Sequence, residues 1–318
     1  MHKKIILLIL SLIFIISCSS PSNPDNGNEG NNGGSTVPPP TGPTEEELIK
    51  KYGIDIGQED TVISQKIEEN LKAYYAEMGS YRVIFTGTTE NYSGHESLYT
   101  LTLKSAMKVI SNKDIDMDIR NIDFKDGIVP TGMFSGEARE DNYNNIFLNF
   151  IFPENKIKTI EMLSFTQLYN TKEIVLPNSV ITIETYAFAN SQSIEKLNLG
   201  NGLQTIGDYA FMALEYLKEL VIPESVTSIG MGAFAQSQFV TKITIPASLT
   251  SVGNMAFVSC PSLTTVIYYG TSPSTINNND ALLECLSLTT LILPNVNSPQ
   301  LNDWKTFLGG NFTIVKQN

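Results

Sequence analysis

Histidine, cysteine and tryptophan are the scarce residues of this 318-residue chain, numbering 2, 3 and 1. One histidine is His2, in an N-terminal segment marked for removal, so His95 alone is left for metal binding or a hydrolase triad. A histidine-rich metal site is thereby excluded, and neither Gly-x-Ser-x-Gly nor His-Glu-x-x-His occurs. Cys18, Cys260 and Cys285 are too few for a disulfide scaffold and include no Cys-x-x-Cys pair for structural zinc. Positive charge is short as well. The formal net charge is −12, and losing Lys3 and Lys4 with the N-terminal segment takes it to −14. That sign opposes nucleic-acid binding and attachment to an anionic membrane through protein charge. No metal, no cofactor and no enzyme activity are expected.

What is present begins with His2, Lys3 and Lys4 followed by an apolar run from Ile5 to Ile16, broken only by Ser11. Twelve residues at about 1.5 Å each fall short of a hydrocarbon core of about 30 Å, so the run reads as an export signal rather than a membrane span. Ile15-Ile16-Ser17-Cys18 resembles the bacterial lipobox, which implies cleavage after residue 17 and lipid on Cys18. Residues 18–44, almost wholly Ser, Asn, Gly, Pro and Thr, cannot bury a core and read as a tether.

Residues 45–121 read as an N-terminal α/β capping region. Thr61 is a candidate cap for a helix carrying Ile63, Ile67, Leu71, Tyr74 or Tyr75, and Met78 at helical spacing. Tyr81 to Thr86 alternates as a strand, and Ser93 to Glu96 resembles a capping box opening a helix through about Ile110. His95 sits in that helix start, where a solvated surface role outweighs catalysis. Asp114, Asp116 and Asp118 alternate with apolar residues as a strand with one acidic face. They do not form a calcium loop, because Ile119 stands where the loop needs glycine.

From about residue 150 the chain matches itself every 23 residues. Ile160, Ile183, Ile206, Ile229 and Val252 form one column and Phe165, Phe188, Phe211, Phe234 and Phe257 another. A third holds Ile157, Val180, Leu203, Val226 and Leu249. Each unit runs Leu-x-x-Ile-x-Ile-Pro, an apolar residue, then Ile-Gly-x-x-Ala-Phe. Alternation before the proline predicts a strand, which the proline ends for want of a donor. One unit buries roughly seven side chains at ~2 kcal/mol each, whereas ordering its backbone costs ~1–2 kcal/mol per residue, so units must stack.

The unit resembles the BspA-type leucine-rich repeats of bacterial surface proteins, in which leader, tether and repeats also occur in this order. The resemblance implies an α/β leucine-rich-repeat solenoid with parallel strands on one face, here over residues 122–296, with a C-terminal cap at 297–318. Ile122 to Phe134 reads as a degenerate first repeat before an insertion at 135–145, and residues 270–284 lose the Ile-Gly-x-x-Ala-Phe signature. Trp304, Phe307, Phe312 and Ile314 are expected to cover the last coil. The family's use of cysteine as a small buried residue favours free thiols at Cys260 and Cys285, although a spacing of one rung also permits a disulfide.

In such an arc the outward strand positions Val175, Asn198, Val221, Thr244, Ile267 and Ile292 line the concave face. Their aliphatic bias suits partner contact and equally suits good strand formers. Glu173, Lys196, Glu219 and Lys242, beside Lys172, Glu195 and Lys218, would put opposite charges together at every rung. Thr264, Thr265, Thr289 and Thr290 form an uncharged hydroxyl patch. The resemblance implies a surface-exposed lipoprotein that binds a protein or glycan partner, with an envelope-internal scaffold as the alternative. The membrane is reached through the N-terminal lipid, and no nucleic acid is involved.

Overall fold

The computed structural model describes residues 42–92, 94–137, 145–276 and 280–317. The leader, Cys18, most of the tether, Ser93 and the middle of the 135–145 insertion lie outside the described residues. Pro43–Asn318 forms one unit.

The chain enters through α1 (Glu45–Tyr52), which the sequence reading assigned no helix. Thr44 accepts from the Glu47 amide while Glu47 accepts from the Thr44 amide, a reciprocal cap spelled out by Thr-Glu-Glu-Glu. After β1 (Gly53–Asp55) comes α2 (Asp60–Met78), which starts behind Glu59 rather than Thr61. It buries Ile63, Ile67, Leu71 and Tyr74, leaving Tyr75 and Met78 exposed. β2 (Arg82–Thr88) leads to α3 (Leu98–Met107), capped by Ser97 rather than Ser93 and ending short of Ile110. The cap moves because the segment before it is pinned to α2: Asp60 accepts from the Glu96 amide at 3.0 Å and pairs with His95 at 2.8 Å.

β3 (Asp114–Asp123) corrects the acidic-face reading. Its pairing with β2 slips at Ile84/Thr86, where one residue of β2, Phe85, opposes two of β3, Ile119 and Arg120. This bulge changes the alternation, so Ile115, Met117 and Ile119 are buried and then Ile122. Asp118 is fully buried, enclosed by Arg82 and Arg120. Burial alone would raise its pKa, but the hydrogen bonds from Arg120 and Arg82 outweigh that and hold it below the usual carboxylate range. Glu45 of α1 binds both arginines, and Leu48 and Tyr52 pack on Ile84, so α1 covers the outward side of these first strands.

The repeats follow as short strands: β4 (Ile128–Val129), β5 (Phe147–Ile151), β6 (Thr159–Ile160), β7 (Glu173–Val175), β8 (Thr182–Ile183), β9 (Lys196–Asn198), β10 (Thr205–Ile206), β11 (Glu219–Val221), β12 (Ser228–Ile229), β13 (Lys242–Ile245), β14 (Ser251–Val252), β15 (Thr265–Tyr268) and β16 (Thr290–Ile292). α4 (Leu301–Trp304) and β17 (Ile314–Lys316) end the chain. All described pairings are parallel. β1, β2, β3 and β5 form one sheet, β7 pairs with β9, and β11, β13, β15, β16 and β17 form another. A second face, which the periodicity did not reveal as strand, is a six-stranded sheet of two-residue strands from β4 to β14. The fold is therefore an α/β leucine-rich-repeat solenoid. β3 and β5 carry its strand ladder into the N-terminal region, and one hydrophobic core runs from Ile54 to Phe312.

Between the two faces lies a phenylalanine column. Phe165, Phe188, Phe211, Phe234 and Phe257 stack at 4.9, 5.0, 5.2 and 5.7 Å, with Phe134 of the degenerate coil on the N-terminal end at 5.0 Å. The turns flanking the column link coils through a backbone device. The Phe165, Phe188, Phe211 and Phe234 amides each donate 2.7 Å to the corresponding alanine carbonyl of the next coil. Pointing amides along the solenoid requires left-handed residues on either side, and they recur in register: Leu163, Tyr186, Tyr209, Gly232 and Met255 before the phenylalanine, and Gln167, Asn190, Ala213, Gln236 and Ser259 after it. Gly232 advertises this conformation in the sequence, and Asn190 does so weakly; the other eight residues do not.

At the C-terminal end the coil after β15 forms no second short strand among its described residues. Trp304 and Phe307 close the core against Tyr268, at 6.0 and 4.7 Å between rings, and Phe312 is fully buried. Ile314 is 49% exposed: it belongs to β17, an added rung, rather than to the plug. Cys260 and Cys285 are free and buried, donating to the Phe234 and Phe257 carbonyls at 3.6 and 3.2 Å. Ser191 and Ser237 hold the same place in their coils, so the thiols act as small buried donors.

Candidate binding face

The strand face presents two outward side chains per rung, a charged or hydroxyl residue and, two residues on, a member of the expected row, because period-two alternation buries Ile174, Leu220, Ile243, Val266 and Leu291 between them on its inner side. Val175 pairs in register with Asn198, Val221 with Thr244, Thr244 with Ile267, and Ile267 with Ile292. Val175 and Val221 are 51% and 55% exposed, Asn198 is exposed, and Thr244, Ile267 and Ile292 are half-buried. The six expected residues thus share one side of the strands, open beyond the part that α1 covers. Cys18 lies outside the described residues.

The row is interrupted at β9. No ladder links Lys196–Asn198 to Glu219–Val221 among the described residues. The cause is local. Asn198 Oδ1 accepts from the Gly200 amide at 2.9 Å, and Gly200, in place of the repeat's proline, turns through a φ of +70°. Beside the break is a hollow of about 420 Å³ lined by Phe150, Phe152, Val175, Pro177, Asn198 and Asn201. The hollow lies on the β5 and β7 side of Asn198, and the spacing of the repeat gives no sign of it.

The charged ladder is incomplete, in part through the same interruption. Glu173 meets Lys196 at 3.4 Å and Glu219 meets Lys242 at 2.9 Å, but no Lys196–Glu219 pair and no pair in the mirror row forms among the described residues. Opposite charges therefore do not meet at every rung. Lys172 instead lies 4.2 Å from the Phe147 ring centroid. In the threonine patch, Thr264 donates to the Thr241 carbonyl at 3.1 Å and Thr289 to the Thr264 carbonyl at 3.5 Å, tying coils together.

His95 is half-buried and bonded through Nδ1 to Asp60 rather than solvated. Its ring stacks on Tyr92 at 5.4 Å beside a hollow with Thr89, Ser97 and Thr131. The hydroxyls of this corner are engaged in turns: Ser97 caps α3 and Ser135 donates to the Gly132 carbonyl. Among the described residues no group of three or more His, Cys, Asp or Glu is placed to hold a metal ion, and no helix is long and apolar enough to cross a membrane.

Stacked parallel strands, phenylalanine column and inter-coil amide ladders define a leucine-rich-repeat protein. The model of the BspA type leucine rich repeat region matches in 6 copies over residues 139–264 and 205–304, just over half of the chain, which belongs to that family. No curated protein matches the sequence. Solved structures similar to it include a leucine-rich-repeat protein of T. pallidum, 21% identical over 57% of this chain and 72% of that one, with a TM-score of 0.40. One from Bacteroides ovatus is 17% identical over 63% of this chain and 62% of that one (TM-score 0.34). A leucine rich cell surface protein from Faecalibacterium prausnitzii is 21% identical over 65% and 61% (TM-score 0.32). This chain spans less than two thirds of the latter two.

Proposed function

We propose that the protein is a lipoprotein anchored through Cys18 in the outer membrane and displayed at the cell surface, where its strand face binds a macromolecular partner in adhesion to host proteins or other cells. The observation that carries this reading is the aligned outward row, with Val175 and Val221 more than half exposed on a face built of buried, repetitive, rigid coils. A row of β-branched side chains loses little side-chain entropy when a partner covers it. The hollow beside Asn198 adds carboxamides that both donate and accept, fitting a polar ligand group. The family membership and the order of leader, tether and repeats support display.

The test is protease treatment of intact cells, read by loss of the repeat region, with a Cys18→Ala strain alongside. Rapid digestion on whole cells, and release or mislocalisation of the Cys18→Ala protein, is the expected result. Protection until the envelope is broken would overturn display and leave an internal scaffold.

A further inference from the structure

We infer that a groove along the edge of the coils, distinct from the strand face and independent of its assignment, binds an uncharged linear glycan. Two columns of side chains form it, enclosing about 600 Å³. Gln192, Glu215 and Gln238 stand in one column and Gln236, Ser259 and Glu284 in the other, and Leu286 closes the C-terminal end at 90% exposure. The second column is built on the left-handed turn residues, with φ of 60°, 55° and 60° at Gln236, Ser259 and Glu284. Their backbone is fixed: the Gln236 amide donates to the Val258 carbonyl at 2.9 Å and the Ser259 amide to that of Leu283 at 3.0 Å. The groove is therefore a preformed feature with a rigid floor.

Four of its six polar side chains make no hydrogen bond among the described residues. The side-chain amides of Gln192, Gln236 and Gln238 and the carboxylate of Glu215 bond to no other described residue, while Glu284 accepts from Ser259 at 2.5 Å. The next residues in the chain after Glu215 and Gln238 are Tyr216 and Phe239. They are 46% and 44% exposed, with rings 5.8 Å apart. The two rings lie outside the lining itself, next in the chain to its Glu215 and Gln238, so an exposed aromatic pair borders a groove of unpaired carboxamides, a combination that suits the apolar face and the hydroxyl edge of a sugar ring. C–H groups cover the aromatic surface, and vicinal hydroxyls exchange hydrogen bonds with amides that offer a donor and an acceptor together.

Charge and spacing narrow the class. No lysine or arginine lines the groove, and its carboxylates repel acidic polysaccharides and nucleic acids. Successive rings of the phenylalanine column in these coils lie 5.0 to 5.7 Å apart and paired strands about 4.8 Å apart, a repeat close to the advance of one hexose ring in an extended chain. An extended peptide advances about 3.3 Å per residue and falls out of step with the columns.

Isothermal titration of the full-length protein in detergent with cellohexaose, xylohexaose and chitohexaose tests the assignment. At least one is expected to bind saturably. Tyr216→Ala with Phe239→Ala, and separately Gln236→Ala with Gln238→Ala, should each weaken that binding about tenfold or more at unchanged circular dichroism. All four positions are exposed, so folding is not at stake. Failure of all three sugars to bind, binding that survives both double substitutions, or binding of pentalysine in place of the sugars would overturn the proposal.

Discussion

Between β2 and β3 the chain returns to the strand face through a ten-residue helix, whereas between β11 and β13 it returns through tight turns and a two-residue strand. Both routes deliver parallel strands into the same face. The first is held by contacts that occur once: the bulge in β3, the buried Asp118 between two arginines, and α1 laid across the outward side. The second is held by contacts that recur at each coil. A buried ion network is weak evidence of net stability but is unforgiving of losing one member. A repeating stack spreads its stability over neighbouring interfaces. The irregular region gives the solenoid a start and covers it; the regular region leaves its strand face and edges open for contact.

Asp118→Ala should have the largest effect, about 3–5 kcal/mol, because it strands Arg82 and Arg120 without their counter-charge. Hydrogen exchange resolved by segment should locate the opening in α1, β2 and β3, with β11 to β14 little changed. The same carboxylate predicts a pH effect. Its folded pKa lies below the ordinary 3.8, so its contribution is complete above that value and is lost as the pH falls through the lowered one. Denaturant midpoints of the wild type should fall in that acid window more steeply than those of Asp118→Ala.

Phe211→Ala should cost a similar ~3–5 kcal/mol by opening the stack between Phe188 and Phe234, with exchange rising in the coils on both sides. Exchange confined to one coil would mean that the repeats are less coupled than the column implies. Met255→Gly should act in the opposite sense. It relieves a left-handed residue that is 47% exposed, and should stabilise by ~0.5–1 kcal/mol, visible as a raised Tm. The smallest effect belongs to Glu219 and Lys242, whose double-mutant cycle should give a coupling of ~0.2–1 kcal/mol that fades with salt.

The same contrast governs what the sequence disclosed. A column such as Phe165 to Phe257 is legible because translation makes each copy report the others' environment. The left-handed turns at Tyr186, Tyr209 and Met255 were not legible, because their requirement comes from inter-coil amide bonding and glycine marks it at Gly232 alone. In the N-terminal region nothing repeats. Asp118 reads as one of three alternating acids, and its burial follows from α1 and the two arginines closing over its side of the sheet, contacts that leave no trace in the spacing; the bulge beyond it is marked only by Ile119 followed by Ile122 rather than by an apolar residue at 121. The positions of the outward row, Val175 to Ile292, follow from period and register. The hollow at Asn198 and the edge groove depend on how coils turn and on which side chains are left unpaired, which periodicity does not encode.

The most direct test of the strand face as a binding surface is adherence of bacteria carrying Val175→Glu, Val221→Glu and Ile267→Glu together, measured on host-cell monolayers and on neighbouring bacteria. Surface level and circular dichroism should be matched to wild type. Adherence should fall to that of a deletion strain; adherence equal to wild type would contradict the assignment of this face.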